Sequence, residues 1–210
     1  ALHTDAAQSV GKSPTDVQEM GVDLLSVAGQ KVYAPKGIGA LYVRAPMDPE
    51  KFCWGAGQEN GRRAGTENVM GIAGLGKACE IAREGLDKTM AHMTYLRDRL
   101  HEGLLSRLTD IRLNGSQVQR LPNTASISFK GLEANRILEE IGLDVAASAG
   151  AACHSDTVTL SHVLEAMRVP VEWAKGTVRF STGRMTTADQ IDRTIAVVVE
   201  AVKRLRGKKL

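Results

Sequence analysis

The sequence predicts a mixed α/β protein. Strand, short helix and strand follow one another within about the first thirty residues, which is typical of a parallel βαβ unit. Strands and helices also alternate over roughly the last 120 residues, which favours a compact α+β domain. Of the 210 residues, 43% are apolar and 24% charged, a balance typical of globular proteins. The length suits one large domain or somewhat more.

The first predicted strand covers residues 2–7 and carries Asp5 near its carboxyl end. Residues 15–19 predict a capped helical turn, and residues 24–27 predict the next strand. Open α/β sheets bind ligands at the carboxyl ends of parallel strands, so Asp5 is a candidate site residue. The alternative is that Asp5 caps a turn or a helix.

Lys31 follows the second strand, and a Gly/Pro-rich connection leads to a third strand-like run at residues 39–43. This pattern predicts a hairpin-like turn. A lysine among small neighbours at a strand end can be desolvated and made nucleophilic. A solvated lysine is the other interpretation.

Residues 67–84 have a helical period with one apolar side, formed by Val69, Ile72, Leu75, Ala78 and Ile81. The glycine-rich loop at residues 55–65, which precedes this helix, contains two arginines suited to meeting an anion. Residues 71–77 match the spacing of a phosphate-binding P-loop, but no strand precedes them and Ala78 replaces the magnesium-binding hydroxyl. Nucleotide hydrolysis is therefore not favoured.

The second part of the chain predicts helices at residues 90–108, 133–141, 161–167 and 187–205, and strands at 124–129 and 177–181. In the first of these strands Ala125, Ile127 and Phe129 share one side. A boundary near Gly85 divides the chain into domains 1–87 and 88–210.

Cys153 lies beside His154 in a small-residue loop, residues 145–153. Such a cysteine can be exposed and partly ionised, as a nucleophilic thiolate must be. Cys53 and Cys79 fit buried small apolar residues instead. Arg179 lies in a predicted strand, where its guanidinium could clamp a carboxylate or simply face solvent from an edge strand. No metal-ligand spacing is recognised.

Several function classes are disfavoured by composition. The net charge is +3, with much of the excess in the basic C-terminal segment, and aromatic residues make up only 4%, too few for base-stacking platforms. No apolar run reaches the length of a membrane span. We therefore expect neither a nucleic-acid nor a membrane partner. Three cysteines without CxxC spacing predict a reducing compartment, cytoplasmic or organellar.

Five motifs in order carry a family resemblance: HTDAAQ, GQKVYAPKGIGALYVR, RRAGTEN, SAGAACHSD followed by SHVL, and VRFSTGR. Together they resemble the NifS-like cysteine desulfurases and selenocysteine lyases, class-V aminotransferases of the fold-type I pyridoxal-phosphate (PLP) enzymes. The resemblance covers essentially the whole chain. It implies that residues 1–87 are the C-terminal part of the large PLP-binding domain and that residues 88–210 are the small α+β domain.

The resemblance implies the cofactor-binding residues. Lys31 matches the lysine that holds PLP as a Schiff base and later moves protons at the substrate Cα. Asp5 matches the carboxylate facing the pyridine nitrogen, and Gln8 matches the residue beside the ring hydroxyl. Thr66 matches a phosphate contact made across a dimer interface. Gln30 stands where the family usually has a histidine; it can donate a hydrogen bond to phosphate but carries no charge.

The implied activity is a PLP-dependent cysteine desulfurase for iron–sulfur cluster or thio-cofactor assembly. Arg179 matches the arginine that binds the substrate carboxylate, and Cys153 the nucleophile that takes sulfur from L-cysteine as a persulfide, leaving L-alanine. The Ala-Cys-His-Ser-Asp loop resembles the selenocysteine lyases, which act on L-selenocysteine. Implied partners are a second copy of the chain in a homodimer and a sulfur-acceptor or scaffold protein.

The chain opens without an initiator methionine, and family members run to about twice its length. We therefore expect it to be the C-terminal part of a longer enzyme. The N-terminal half of the family carries a phosphate-cradling turn, a histidine stacked on the cofactor and an asparagine near the substrate. The alternative is a short, catalytically silent homologue that binds a partner.

Overall fold

The computed structural model describes residues 1–150, 152–154 and 157–207, with residues 152–154 and 157–159 described by their backbone alone. The chain forms two compact units, Ala1–Lys88 and Thr89–Leu210. No helix in the described part of the chain is long and apolar enough to cross a membrane.

The first unit contains a three-stranded sheet of β1 (His3–Asp5), β2 (Leu24–Ala28) and β3 (Gly39–Val43), in that order. Strand β1 pairs with β2 in parallel, whereas β2 and β3 are antiparallel. The parallel pair predicted at the start of the chain and the hairpin around residue 31 are both confirmed.

The capped helical turn predicted at residues 15–19 is found. Asp16 Oδ1 accepts hydrogen bonds from the backbone N–H groups of Gln18 and Glu19, and the Met20 N–H donates to the Asp16 carbonyl, as in one turn of a helix. One detail of this sheet differs from the prediction. The first strand was predicted at residues 2–7 and is shorter, and its residues His3 and Asp5 are exposed. Strand β1 lies at the edge of the sheet, where one side lacks a pairing strand.

Helix α1 (Val69–Glu84) begins after Asn68, whose side-chain oxygen accepts a hydrogen bond from the Gly71 N–H. This is an N-terminal cap of the usual kind. Residues 71–77 lie inside the helix, so their backbone N–H groups do not form a phosphate-binding loop. The rejection of a P-loop is confirmed.

The predicted apolar stripe of α1 is half right. Leu75 and Ala78 are buried, but Val69, Ile72 and Ile81 are exposed. The residues buried in the helix are spaced i, i+4, i+7 and begin at Gly71, so the buried face is narrower than the stripe.

The second unit contains most of the helices and strands. In chain order they are α2 (Leu86–Leu105), β4 (Ile111–Leu113), β5 (Thr124–Phe129), α3 (Ala134–Ile141), β6 (Ser148–Ala149), β7 (Ala152–His154), β8 (Thr157–Thr159), α4 (His162–Ala166), α5 (Val171–Ala174), β9 (Thr177–Ser181) and α6 (Ala188–Gly207). The strands predicted at residues 124–129 and 177–181 are confirmed residue for residue. Strand β4 and helix α5 were not predicted because both are too short to show a period.

An antiparallel sheet of order β4-β5-β9-β6 carries the main core. Ala125, Ile127 and Phe129 of β5 are buried, as their alternation predicted. They belong to one cluster with apolar residues of three helices, among them Leu100 of α2, Ile137 of α3 and Val198 of α6. Helices therefore cover one face of the sheet.

Candidate functional site

Lys31 ends a 3₁₀ turn, Gly29–Lys31, that follows β2 directly. The Gly29 N–H donates to the Ile38 carbonyl at 3.0 Å, and a Cβ at Gly29 would lie 2.6 Å from that oxygen. Val32 and Ala34 both donate their N–H groups to the Gly29 carbonyl. The turn is therefore held tightly against the returning chain, which fixes the backbone of Lys31.

The Lys31 side chain is exposed, as is Gln30 before it. Among the described residues no hydrogen bond or ion pair reaches the Lys31 amine. Of the two interpretations of Lys31, the solvated lysine is the one found, because the residues around this turn do not cover it. Its amine is accessible to a carbonyl compound.

Asp5 is the last residue of β1. It lies at the same end of the sheet as Lys31, namely the end where the parallel strands have their carboxyl termini, which is called the sheet edge of the site below. Its pairing partner in β2 is Ser26, so the carboxyl ends of both parallel strands meet at this edge. Asp5 Oδ1 accepts a hydrogen bond of 2.9 Å from the Ala7 N–H, and the carboxylate is otherwise exposed. The capping role considered for Asp5 is thus real, and it leaves the second oxygen available. Gln8 follows in the same turn and is also exposed.

Lys12 is the residue that sequence reasoning missed. It is 7% exposed, and its Nζ donates a hydrogen bond of 3.1 Å to the Lys31 carbonyl. Burial lowers the pKa of the Lys12 amine, and the positive charge of Lys31 lowers it further. No pattern in the sequence marks a lysine between turns as buried, because its partner is a backbone carbonyl.

Thr66 lies in the exposed segment before α1. Near it a cavity of about 670 Å³ lies between β3 and the start of α1, lined among others by Leu41, Arg63 and Glu67. None of the predicted site residues lines this cavity. Of the two loop arginines, Arg62 lies 3.5 Å from the Asp48 carboxylate, which already balances part of its charge.

Arg179 of the second unit lies on β9, between β5 and β6. It pairs with Ser126 on one side and Ser148 on the other. Its guanidinium is exposed and donates a long hydrogen bond of 3.5 Å to Ser148 Oγ. The edge-strand interpretation is therefore wrong, since Arg179 projects into solvent from an interior strand.

The backbone of Cys153 lies in β7, where it pairs with Val158 of β8. Its side chain, and residues 151, 155 and 156, lie outside what the structure describes. The segment predicted as a small-residue loop, residues 145–153, contains the short strand β6 and the start of β7. Cys53 was predicted to be buried and is exposed, because it lies in a loop beside two exposed aromatic residues, Phe52 and Trp54.

Asp5 and Gln8 lie at or just after the carboxyl end of β1 and Lys31 lies just after that of β2, whereas Arg179 and Cys153 belong to the other unit. The donor set at this edge fits PLP chemically, with an accessible amine for an aldehyde, a carboxylate for a pyridinium and an amide. In the described part of the chain, no group of three or more His, Cys, Asp or Glu residues could hold a metal ion.

Comparisons with known proteins agree with this geometry. The family model described as aminotransferase class-V matches residues 1–194. A cysteine desulfurase of Trichormus azollae is 47% identical over 207 residues, which are 98% of this chain and 52% of the relative. The cysteine desulfurase IscS of Dictyoglomus turgidum is 44% identical over 206 residues, with the same coverage. The chain thus spans about half the length of the curated relatives it matches.

Solved structures give the same result. A NifS-like protein with 32% identity superposes with a TM-score of 0.87 over 97% of this chain and 53% of its own. A NifS-like protein from Rickettsia africae, 28% identical, has a TM-score of 0.87 over 96% of this chain and 53% of its own. The fold is that of part of a fold-type I PLP enzyme, and the chain belongs to the class-V aminotransferase family.

Proposed function

We propose that this chain is the C-terminal part of a PLP-dependent cysteine desulfurase, which releases sulfur from L-cysteine and forms L-alanine. The observation that carries the proposal is the accessible amine of Lys31 at the same sheet edge as the Asp5 carboxylate. The names of the curated relatives support it. In this proposal residues 1–87 belong to the large PLP-binding domain and residues 88–210 form the small domain.

Bound PLP supplies an aldehyde for an amine and a ring that accepts electrons from the substrate. The Lys31 amine would hold PLP through this aldehyde and would move a proton at the substrate Cα. The Asp5 carboxylate would pair with the pyridine nitrogen, and its negative charge would favour the protonated ring. Gln8 would bind the ring hydroxyl and Gln30 would donate a hydrogen bond to the phosphate, while Thr66 would contact the phosphate across the interface of the proposed homodimer.

In this proposal, residues of the second unit bind the substrate carboxylate and attack the substrate sulfur. The Arg179 guanidinium pairs with the substrate carboxylate through two parallel hydrogen bonds, which orients the amino acid. The Cys153 thiolate attacks the substrate sulfur, so that an S–S bond forms and the C–S bond breaks. The electron pair of the broken bond goes to the substrate Cβ, which takes a proton and becomes the methyl group of alanine. Sulfur remains on Cys153 as a persulfide.

A second candidate is selenocysteine lyase activity, favoured by the Ala-Cys-His-Ser-Asp sequence at residues 152–156. Selenium leaves carbon more readily than sulfur, so Cys153 would be less necessary for L-selenocysteine. As for partners, we propose a homodimer and transfer of the persulfide sulfur to an acceptor or scaffold protein of iron–sulfur or thio-cofactor assembly, in the cytoplasm.

Reductive trapping tests the cofactor site. The chain is incubated with PLP, reduced with borohydride and digested, and the label on each lysine is quantified by mass spectrometry. We expect Lys31 to be labelled to a greater extent than every other lysine. In Lys31→Arg we expect no lysine to be labelled preferentially. The matched control is Lys36→Arg, which changes an exposed lysine of the same connection. Equal labelling of Lys31 and Lys36 would contradict the proposal.

Alanine release tests the reaction. The chain is supplied with PLP and either L-cysteine or L-selenocysteine, and Cys153→Ala is measured beside it. Loss of alanine from L-cysteine with retention from L-selenocysteine is expected for the variant. Selective labelling of Lys31 without alanine from either substrate would show that the chain binds the cofactor but does not turn over substrate by itself.

A further inference from the structure

Lys12 is a buried lysine without a carboxylate partner among the described residues. Its side chain is 7% exposed, and the hydrogen bond from Nζ to the Lys31 carbonyl is the polar contact that the structure gives it. Lysine is rarely buried unless it is paired, because removing an ammonium from water is costly. The position of this side chain therefore needs a reason beyond packing.

The backbone conformation at Gly11 determines where the Lys12 side chain lies. Gly11 has φ +72°, a left-handed conformation that glycine adopts without strain. A Cβ there would lie 3.1 Å from Val32 Cγ2 and 3.2 Å from Ala82 Cβ. The chain at Gly11 thus packs between the residue after Lys31 and helix α1, which brings the next residue, Lys12, beneath the turn.

The contact acts on the backbone of the residue proposed to hold the cofactor. The Gly29–Lys31 turn is closed on one side by the Val32 and Ala34 N–H groups, both bonded to the Gly29 carbonyl. The Lys31 carbonyl at its other end accepts from Lys12. A lysine whose own amine is unpaired can swing freely, so its reach is governed by how firmly its backbone is held.

We propose that Lys12 is a positioning residue for Lys31. Its hydrogen bond to the Lys31 carbonyl fixes the Lys31 backbone, and the fixed backbone limits the positions that the Lys31 amine can reach. This inference rests on the proposed function of Lys31. It assigns Lys12 no contact with cofactor or substrate. Two positive groups lie close together here, and burial and the nearby Lys31 charge both lower the pKa of Lys12. The amine carries N–H groups in either protonation state, so it can donate this hydrogen bond whether or not it is charged.

Two substitutions separate the hydrogen bond from charge and packing. Lys12→Met keeps an unbranched apolar stem and removes the donor, whereas Lys12→Gln keeps an N–H donor and removes the charge. The first readout is the PLP label on Lys31 relative to Lys36 after brief incubation and reduction. The second is amide hydrogen exchange at Val32 and Ala34 without PLP, which does not depend on the cofactor at all.

Loss of one hydrogen bond to a positioned carbonyl predicts a roughly 3- to 10-fold fall of the Lys31 to Lys36 label ratio in Lys12→Met. Exchange at Val32 and Ala34 is expected to accelerate by a similar factor, and Lys12→Gln is expected to restore both values to within about twofold. An unchanged ratio in Lys12→Met would overturn the proposal. So would a Lys12→Gln variant that behaves like Lys12→Met.

The design also separates this proposal from the proposed function. Wild-type chain without selective label on Lys31 would contradict the cofactor site, while the exchange rates would still report whether Lys12 holds the turn. If Lys12→Met unfolds the unit, Lys12→Gln decides alone. In Lys12→Gln, a wild-type Lys31 to Lys36 label ratio and wild-type exchange at Val32 and Ala34 then support the proposed role of the hydrogen bond. A lowered label ratio overturns that role.

Discussion

The two units differ in how they are held together. The second unit has a continuous apolar core between its four-stranded sheet and helices α2, α3 and α6. The described part of the first unit instead has small separate clusters, one around Leu25 and another around Val32 and Leu75. The first unit contains the proposed cofactor residues, whereas the larger core lies in the second. Stability and cofactor chemistry are therefore concentrated in different regions.

Exposed apolar side chains strengthen the contrast. In the first unit Phe52 and Met70 are 95% and 86% exposed, and Trp54 is 80% exposed. Surfaces of this kind mark places where proteins contact other molecules. The following substitutions test whether the units differ in stability as this comparison requires.

Phe129→Ala is expected to have the largest effect. Phe129 is fully buried at the centre of the larger core, so removing its ring should lower the free energy of unfolding by about 3–5 kcal/mol. Urea unfolding is followed by Trp173 fluorescence in a Trp54→Phe background, which leaves one tryptophan of the two in the chain. The control, Phe52→Ala, should stay within about 0.5 kcal/mol. Equal unfolding midpoints would contradict the comparison.

Leu75→Ala tests a small cluster of the first unit. Because few apolar neighbours surround Leu75, we expect a loss of about 2–3 kcal/mol, at the low end for a buried leucine. Amide hydrogen exchange along α1 measures it as local opening. Met70→Ala changes an exposed residue of the same helix and should leave these rates alone. A loss as large as that of Phe129→Ala would remove the distinction between the units.

Thr177→Val tests the polar part of the second core. Thr177 Oγ1 and Ser128 Oγ lie 2.7 Å apart, and both residues are buried. Valine keeps the shape and removes one of the two partners of Ser128 Oγ, which still accepts from Asn114 Nδ2, so we expect a loss of about 1–3 kcal/mol in urea unfolding. Ser181→Ala, at an exposed site of the same strand, is the control. No difference between the two variants would mean that the hydroxyl pair is dispensable.

Asp192→Asn predicts a pH-dependent effect. Arg99 donates two hydrogen bonds of 2.7 Å to the Asp192 carboxylate, which lowers the pKa of Asp192. Because the folded pKa is the lower one, the pair stabilises the protein above the unfolded value of about 3.9 and loses this effect as pH falls through the folded value. The variant should therefore unfold more readily than wild type at pH 7 and equally at strongly acid pH.

Its control is Asp189→Asn, at an exposed position of the same helix. A difference between Asp192→Asn and wild type that stays constant down to strongly acid pH would contradict the ion pair. Since both partners are exposed, the effect at pH 7 should be small and should shrink further in high salt.

Lys31→Ala should have the smallest effect on stability. The side chain is exposed and its amine has no partner among the described residues, so the free energy of unfolding should stay within about 0.5 kcal/mol of wild type. Urea unfolding monitored by circular dichroism measures this. A loss above about 1 kcal/mol would show that Lys31 packs and would weaken its assignment as an accessible amine.

Regular elements were predicted well where the period was long or the alternation strict. Strand β5 is an example, since Ala125, Ile127 and Phe129 alternate with less apolar residues and all three are buried. The stripe of α1 was predicted too wide, because a sequence shows which residues are apolar but not how much of the helix its neighbours cover. The exposure of Val69 and Ile72 follows from that coverage.

The candidate site was predicted in part. The positions of Asp5 and Lys31 at strand ends followed from the turn signals and from the parallel pairing of β1 and β2. Lys12 was missed because its hydrogen-bond partner, the Lys31 carbonyl, is a backbone atom that every residue possesses. The interior position of Arg179 was also missed, since strand order depends on pairing between distant segments.

The sequence by itself determined the local chemistry of this protein: its turns, its periodic strands and helices, and the ordered motifs of the class-V aminotransferases. These features depend on neighbouring residues, and the chain carries that information directly. Tertiary structure alone decided which side chains are covered, that Lys12 lies beneath Lys31, and that Arg179 lies on an interior strand. Such features require contacts between residues far apart in sequence, and no local pattern encodes them.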